Sequence, residues 1–582
     1  MTYFLITQII SFVLIFSILI LLCFFFVHNG QFTLFLQRLI FLYFIYYIWQ
    51  DTQGICASFF TERPRVDLSL KPVFFSHDIS DFNLNIDVNN SLFFRLFIIY
   101  SRITVIIFFF GVAERFFISK VGILEFPVLI LCLHFGGFCA LRLYTFIDVL
   151  IALEIVTLAS YIIVTFERQN RFSAYAGVQY FILGSLPSAM LLLSFSFFYL
   201  QSGSLTIQDL DLCFNTIYNV SDSITGTITT VIDLFEVTDE ISSAGMNTYF
   251  YNSNENVFFI SDIENAIEAT NPINSIIIIA LLFFFFNAFF KITAAPFHMW
   301  APSVYGKAPI ASVAFLSIYS KVLIFFLLFK LLNTFLHFFS FFALMLILFI
   351  GTISIFVGIL GAFTEKRIKR FFVYSSIGHV GFILIGLALN TAEGYYAMFR
   401  YMFVYILSSF LIWFFLLNIG RIKTYLSHFS EIKIKDPILV MIFAFLVFSI
   451  SGIPPLGGFF IKLNILASLI DSSHFFITYI LFFFSVVSFF YYLRLIKIRF
   501  FDYQENTLFI TPITNKINYT SEYPHFVNRM WIISVIIILL AFYSFFENKF
   551  ILFFIQESVR NWLELKLNYI FTYIYKAYSS VG

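Results

Sequence analysis

The sequence predicts an all-α polytopic membrane protein of about 14 transmembrane helices, two of them interrupted by proline. Three observations predict it. Only 12% of the 582 residues are charged, about half the ~25% of a soluble domain, and mean hydropathy is +0.93. Apolar runs of about 20 residues, the length that crosses hydrocarbon, recur along the chain. The polar segments between them fall into basic and acidic sets that alternate in the order expected of a threaded membrane protein.

In order, the candidate spans lie near 2–27, 32–49, 92–112, 121–141, 143–166, 176–200, 273–305 (broken), 308–332, 334–360, 371–390, 395–419, 437–470 (broken), 474–496 and 529–547. Residues 1–27 lack a basic leader and an A-x-A cleavage pattern, so they read as a retained first span. The last stretch, 549–582, mixes Lys, Glu, Arg and aromatics and reads as an amphipathic helix on the membrane surface. Phe supplies 89 residues, an excess that points to biased coding and lipid-facing bulk rather than to a cofactor stripe.

Three polar segments interrupt the spans, at 50–91, 201–271 and 500–528. The middle one holds eleven Asp or Glu and no Lys or Arg. Loops elsewhere are basic: ERQNR at 167–171, EKRIKR at 365–370, RIK at 421–423 and KIK at 433–435. Counting spans alternately puts every basic loop on one side of the membrane. It puts 50–91, 201–271 and both termini on the other, as the positive-inside rule requires.

The two broken spans are alike. FFKITAAPFHMWAP (289–302) carries Lys291 before its break at Pro296, and FSISGIPPLGGFFIKL (448–463) carries Lys462 after its break at Pro454 and Pro455. The breaks lie five spans apart, an odd number, so the units around them face opposite ways. Paired discontinuous helices of this kind mark two inverted five-helix repeats and a binding site between them. The chain then divides into 1–120 (three spans with loop 50–91), 121–332 (first repeat with insertion 201–271), 333–496 (second repeat) and 497–582 (polar segment, last span and surface helix).

Ionisable groups at mid-membrane are the functional candidates, because lipid offers no water to solvate them. Glu154 lies mid-span in LRLYTFIDVLIALEIVTLASYIIVTF, Lys321 mid-span in 308–332, and Lys291 and Lys462 beside the breaks. Burial disfavours the charged form of a lone carboxylate or ammonium, while a nearby opposite charge favours it. Moving one proton therefore changes the affinity of its neighbour for another, which a proton relay requires. A single Glu–Lys pair reads equally as a static helix-positioning contact; one glutamate with three lysines in separate spans reads as a relay. His298 in PFHMW and His379 in YSSIGHVGF add imidazoles able to accept and donate protons, and each alone also reads as a hydrogen-bonded core histidine. Lys330, Arg400, Arg494, Lys497 and Arg499 lie near span ends, where long side chains snorkel to water. Arg95 and Arg102 fall inside the third span and have no such outlet. Cys23, Cys56, Cys132, Cys139 and Cys213 form no CxxC and no Cys/His cluster, so they read as packing residues. No metal motif, glycine-rich nucleotide loop or basic excess is present, which sets aside metal, nucleotide and nucleic-acid binding.

Four stretches together resemble a known family. They are RFSAYAGVQYFILGSLPSAMLLLSFSFFYLQSGS (171–204), KITAAPFHMWAPSVYGKAPIASVAFLSIYSK (291–321), EKRIKRFFVYSSIGHVGFILIGLAL (365–389) and SGIPPLGGFFIKLNIL (451–466). They are similar to the antiporter-like membrane subunits of respiratory complex I, and among these to NADH dehydrogenase (ubiquinone) subunit 2. The resemblance covers roughly 140–470. It implies that Glu154 and Lys291 form the pair of a first half-channel, that Lys321 connects the halves, that Lys462 serves the second, and that His379 lies between them. It implies proton translocation coupled to NADH:ubiquinone oxidoreduction, in the mitochondrial inner membrane, with basic loops towards the matrix and 50–91 and 201–271 towards the intermembrane space. FMN, iron–sulfur clusters and ubiquinone would belong to partner subunits, with no cofactor in this chain. Subunits 4 and 4L would be neighbours, accessory subunits would cover 201–271, and lipids would fill the rest. Four positions depart from the family's usual pattern: Ser303 (usually Asp), Lys307 (small or acidic), Gln179 (often Lys) and Glu365 (commonly Gln). The same family includes cation/proton antiporters, so a stand-alone antiporter is the alternative.

Overall fold

In hydrocarbon a peptide group has no partner but another peptide group, so a long apolar run must close its hydrogen bonds within itself, as a helix. A computed structural model describes residues 125–500 apart from 143–144, 168–169, 205, 207–275, 335–339, 420–425, 427–436 and 455. The first three predicted spans, the last span, the surface helix, the acidic segment beyond Thr206, Arg95, Arg102 and Pro455 lie outside the described residues.

The described chain is helical. Its elements are α1 (Glu125–Arg142), α2 (Phe146–Val164), α3 (Arg171–Ser202), α4 (Ile276–Ile292), α5 (Trp300–Lys307), α6 (Ile310–Thr334), α7 (Ser340–Thr364), α8 (Ile368–Ala388), α9 (Ala392–Ile419), α10 (Pro437–Ser451), α11 (Gly457–Asp471) and α12 (Phe475–Phe500). Seven of these (α2, α3, α6, α7, α8, α9 and α12) are long and apolar enough to cross a membrane. The described helices fall where apolar runs predict them, and both predicted interruptions occur, between α4 and α5 and between α10 and α11.

Local chemistry sets the ends. Thr145 caps α2: its Oγ1 accepts from the Asp148 backbone N–H at 3.3 Å, and the Asp148 carboxylate lies in the first turn, where it complements the helix dipole. The Asp148 carboxylate also accepts from Thr145 Oγ1 and so holds the cap in place. Asn170 caps α3 through its side-chain oxygen, and α3 ends at Gly203, whose φ of +67° is the left-handed geometry of a helix stop. At the first break Thr293 turns the chain with φ +63°, an uncommon conformation for a β-branched residue, and the Ala295–Pro296 bond is cis. The freed carbonyls there find partners: Phe289 O accepts from Ala294 N, and Phe290 O accepts from Thr293 N and from Trp300 Nε1. At the second break Gly452 turns with φ +89°.

Two helices occupy the middle. α6 and α8 have nearly all their residues inside the molecule, whereas α3 and α12 leave most of theirs outside. α6 packs on α1, α2, α8 and α9, and α8 on α5, α7, α9 and α11. Tyr319 fixes α6 to α1 by donating to Leu133 O at 3.0 Å, and Lys369 fixes α8 to the end of α5 by donating to Ala308 O at 2.7 Å. α7 and α8 approach so closely that a Cβ on Gly358 would lie 2.7 Å from the Gly378 Cα. Small residues permit such contact between helices in lipid, where packing replaces hydrophobic drive.

Candidate functional site

The polar side chains inside this bundle gather around the two breaks and the two central helices. Lys321 is 2% exposed, near the middle of α6. Its Nζ donates to Ser376 Oγ on α8 at 2.9 Å and lies 5.9 Å from the centre of the Tyr405 ring on α9. Ser376 passes its own hydrogen to Val373 O at 2.7 Å. Burying an ammonium costs heavily unless it is hydrogen-bonded, and α8 supplies that partner while α9 supplies an aromatic face.

Lys462 sits on α11, 6% exposed. Its Nζ donates to Ser451 O at 2.9 Å and to Ser488 Oγ on α12 at 3.1 Å, and stands 5.8 Å from the Phe382 ring centre on α8. Ser451 is the last residue of α10, so the ammonium rests on an end carbonyl that the break has freed.

His379 is buried on α8, where Lys462 and Lys321 both act on its ring electrostatically. Its hydrogen bonds go elsewhere. Nδ1 lies 2.7 Å from the Tyr401 hydroxyl and Nε2 3.1 Å from the Tyr492 hydroxyl.

Lys291 ends α4. Its Nζ is enclosed and makes no hydrogen bond to protein, though Glu154 on α2 acts on it electrostatically. Glu154 is half-buried, and its Oε2 accepts from Thr157 Oγ1 at 3.1 Å. Asn287 Oδ1, one turn before Lys291, and Thr293 Oγ1, just after it, are likewise enclosed without a protein partner. His298 lies in the first break, between α4 and α5. It bonds the Pro296 backbone, its ring meets Tyr374 edge-on at 6.2 Å, and its Nδ1 has no protein partner. Pro296 and Pro454 lie exposed in the two breaks.

Several contributors were not singled out from sequence. Tyr401 and Tyr405 share one face of α9 at helical spacing, Tyr491 and Tyr492 lie on α12, and Ser488 reaches Lys462 from one turn earlier on α12. A signal existed: a tyrosine inside a phenylalanine-rich span carries a hydroxyl that must find a partner. Arg400 needs a correction. It does more than snorkel: half-buried, it donates from Nη1 to Tyr396 at 3.3 Å, and to Asn464 on α11 at 3.0 Å when that amide presents its oxygen. The Asn464 bond ties α9 to α11. Two departures from the family pattern meet: Gln179 Nε2 donates to Ser303 Oγ at 3.0 Å. A third, Lys307, stands 4.0 Å over the Tyr175 ring. Among the described residues no group of three or more His, Cys, Asp or Glu is placed to hold a metal ion.

The family model described as NADH:quinone oxidoreductase/Mrp antiporter, transmembrane, matches residues 144–235 and 241–488, more than half of the chain. NADH-ubiquinone oxidoreductase chain 2 of Metridium senile is 32% identical over 377 residues, covering 65% of this chain and 83% of that one. A chain in the structure of respiratory complex I from Thermus thermophilus with bound aureothin superposes with a TM-score of 0.55 at 21% identity, covering 83% of this chain and 87% of its own. A chain of the Mrp complex from Dietzia sp. DQ12-45-1b gives 0.59 at 14% identity, covering 81% and 83%. At those identities the structures speak for the fold alone, while the sequence matches place the chain among complex I membrane subunits and their antiporter relatives. The protein belongs to the NADH:quinone oxidoreductase/Mrp antiporter transmembrane family, as a membrane-spanning, antiporter-like subunit.

Proposed function

We propose that this chain is a proton-translocating subunit of respiratory complex I, coupling NADH:ubiquinone oxidoreduction in other subunits to proton transfer through Glu154, Lys291, Lys321, His379 and Lys462. The observation that carries it is the row of Lys321, His379 and Lys462, each buried on a different helix and each hydrogen-bonded to neutral groups rather than to a carboxylate. A structural ion pair would have a fixed counter-charge. These lysines have hydroxyls and carbonyls instead, so either protonation state retains partners, and lysine changes protonation readily when buried. The enclosed, unpaired polar atoms at Lys291, Asn287 and Thr293 are groups of the type that buried water serves.

The order of helices supports two repeats: α1 to α6 and α7 to α12 each hold five units, with the fourth broken. On this reading the first three spans and the last flank them, for 14 in all. On this reading FMN, the iron–sulfur clusters and ubiquinone belong to partner subunits, which deliver their energy as an electrostatic or conformational push. The Glu154–Lys291 pair answers that push in the first half, and Lys321, His379 and Lys462 in the second. Subunits 4 and 4L are its neighbours in the mitochondrial inner membrane. The basic loops face the matrix, and 50–91 and 201–271 face the intermembrane space, the latter covered by accessory subunits.

Lys291→Ala tests this. NADH:quinone turnover and proton pumping in membrane vesicles should fall while the complex stays assembled. An assembled variant pumping at the full stoichiometry would remove Lys291 from the path. The alternative, a stand-alone cation/proton antiporter, draws on the shared fold of the Mrp complex. Sodium-driven proton flux by the purified chain in liposomes would favour it.

A further inference from the structure

The imidazole of His379 is held at both nitrogens, and neither partner is a lysine. Nδ1 faces the Tyr401 hydroxyl on α9 at 2.7 Å, and Nε2 faces the Tyr492 hydroxyl on α12 at 3.1 Å. The Tyr492 oxygen lies 2.5 Å from Ser375 Oγ, back on α8 one turn before the histidine. Tyr401 is 0% and Tyr492 1% exposed, so bulk solvent does not reach these hydroxyls. Lys321 spends its hydrogen bond on Ser376, and Lys462 on Ser451 O and Ser488.

A neutral imidazole has one donor and one acceptor nitrogen, and a hydroxyl both donates and accepts. The row therefore has two self-consistent polarities. In one, Tyr401 donates to Nδ1, Nε2–H donates to Tyr492, and Tyr492 donates to Ser375. In the other, every bond runs backwards.

We propose that Tyr401, His379, Tyr492 and Ser375 form a proton wire across α9, α8 and α12, in which the two tyrosine hydroxyls bring protons to His379 and carry them away. The wire rests on the proton-translocating reading and adds the groups that serve its histidine. In one passage a proton arrives on the Tyr401 oxygen as that residue's own proton passes to Nδ1. The Nε2 proton passes to Tyr492, the Tyr492 proton to Ser375, and the Ser375 proton leaves. One proton enters and one leaves, no bond between heavy atoms changes, and the row ends in the opposite polarity. The ring relays without swinging towards either lysine, because it stays bonded at both nitrogens. Lys321 and Lys462 both act on the ring electrostatically, so their charge states bias which polarity is held.

The test uses Tyr401→Phe, Tyr492→Phe and the double variant in the native membrane assembly, with Ser375→Ala as a smaller lesion at the end of the row and Lys462→Ala as a control. Phenylalanine keeps the ring and removes only the hydroxyl. Assembly, NADH-driven proton translocation into vesicles, and its slowing in heavy water are measured. Each variant should assemble and translocate about tenfold more slowly, less than the ~10²-fold of a group whose proton transfer alone limits the rate. The double should be no slower than the worse single, because a wire in series is broken once. The heavy-water effect should grow. Full translocation in Ser375→Ala and either Phe variant, or losses that multiply in the double, would overturn the wire. If Lys462→Ala is then slow, the proton-translocating reading stands without it; if Lys462→Ala also pumps fully, that reading fails as well.

Discussion

Lys462 and Ser451 stand on opposite sides of the second helix break and are joined across it: the α11 ammonium donates to the last carbonyl of α10 at 2.9 Å. A helix end carries about half a negative charge on its unpaired carbonyls. The break thus does two things at once, ending one helix and supplying the acceptor that lets a lysine live at depth. Gly452 makes the turn with φ +89°, and a Cβ there would come within 3.2 Å of Lys462 Cδ.

Gly452→Ala should therefore act on both. A left-handed residue with a Cβ costs about 1–2 kcal/mol, and the new methyl presses the lysine stem away from Ser451. Proton translocation should drop more than the amount of assembled protein, read by pumping assays normalised to the chain present. A pumping loss no larger than the assembly loss would show that the ammonium tolerates displacement.

Ser376→Ala removes the hydroxyl that Lys321 uses. A hydrogen bond to a charged group is worth about 1.5–3 kcal/mol, so translocation should slow without loss of assembly. Ser376→Thr keeps an oxygen at the same place and should restore most of the rate. Equal rates in the two variants would assign the bond a packing role only.

Gly358 and Gly378 touch across the α7–α8 contact but are not equivalent. A Cβ on Gly358 strikes the Gly378 backbone, whereas a Cβ on Gly378 meets nothing within 4 Å. Gly358→Ala should destabilise the bundle by about 1–3 kcal/mol, the range for overpacking. Gly378→Ala should leave it near the unmodified value. Thermal unfolding in detergent reads the difference, and equal melting temperatures would contradict the close contact.

Gln179 and Ser303 form one hydrogen bond at 3.0 Å between α3 and α5. Gln179→Ala and Ser303→Ala should each cost about 0.5–1.5 kcal/mol, and the double about as much as one, since a shared bond is lost once. Strict additivity in a double-mutant cycle would separate the two residues.

Much of the fold was legible because hydrocarbon leaves the chain few choices. Runs of about 20 apolar residues must be helices, and Pro296 and Pro454 mark the interruptions, whereas Pro187 is carried inside α3. The described helices accordingly lie where the runs lie. The charged members of the candidate site were legible for the same reason: Lys291, Lys321 and Lys462 are conspicuous where charge is expensive. His298 was as conspicuous as His379, yet it bonds the local Pro296 backbone while His379 sits in the central row. Nothing in PFHMW distinguishes those outcomes, because they depend on which helices arrive beside the ring.

The sequence by itself determined the class of protein, the places of the helix breaks and the identity of the buried lysines, since these follow from local length, hydropathy and chain geometry. Tertiary structure alone decided the partners. Lys321 meets Ser376 from 55 residues away, and Tyr492 reaches His379 from 113. Such contacts depend on helix rotation and crossing, which close packing of small residues sets and a hydropathy pattern does not encode. Tyrosine among phenylalanines reads as bulk until the fold shows where its hydroxyl points. For Tyr401 and Tyr492 that is the two nitrogens of one imidazole.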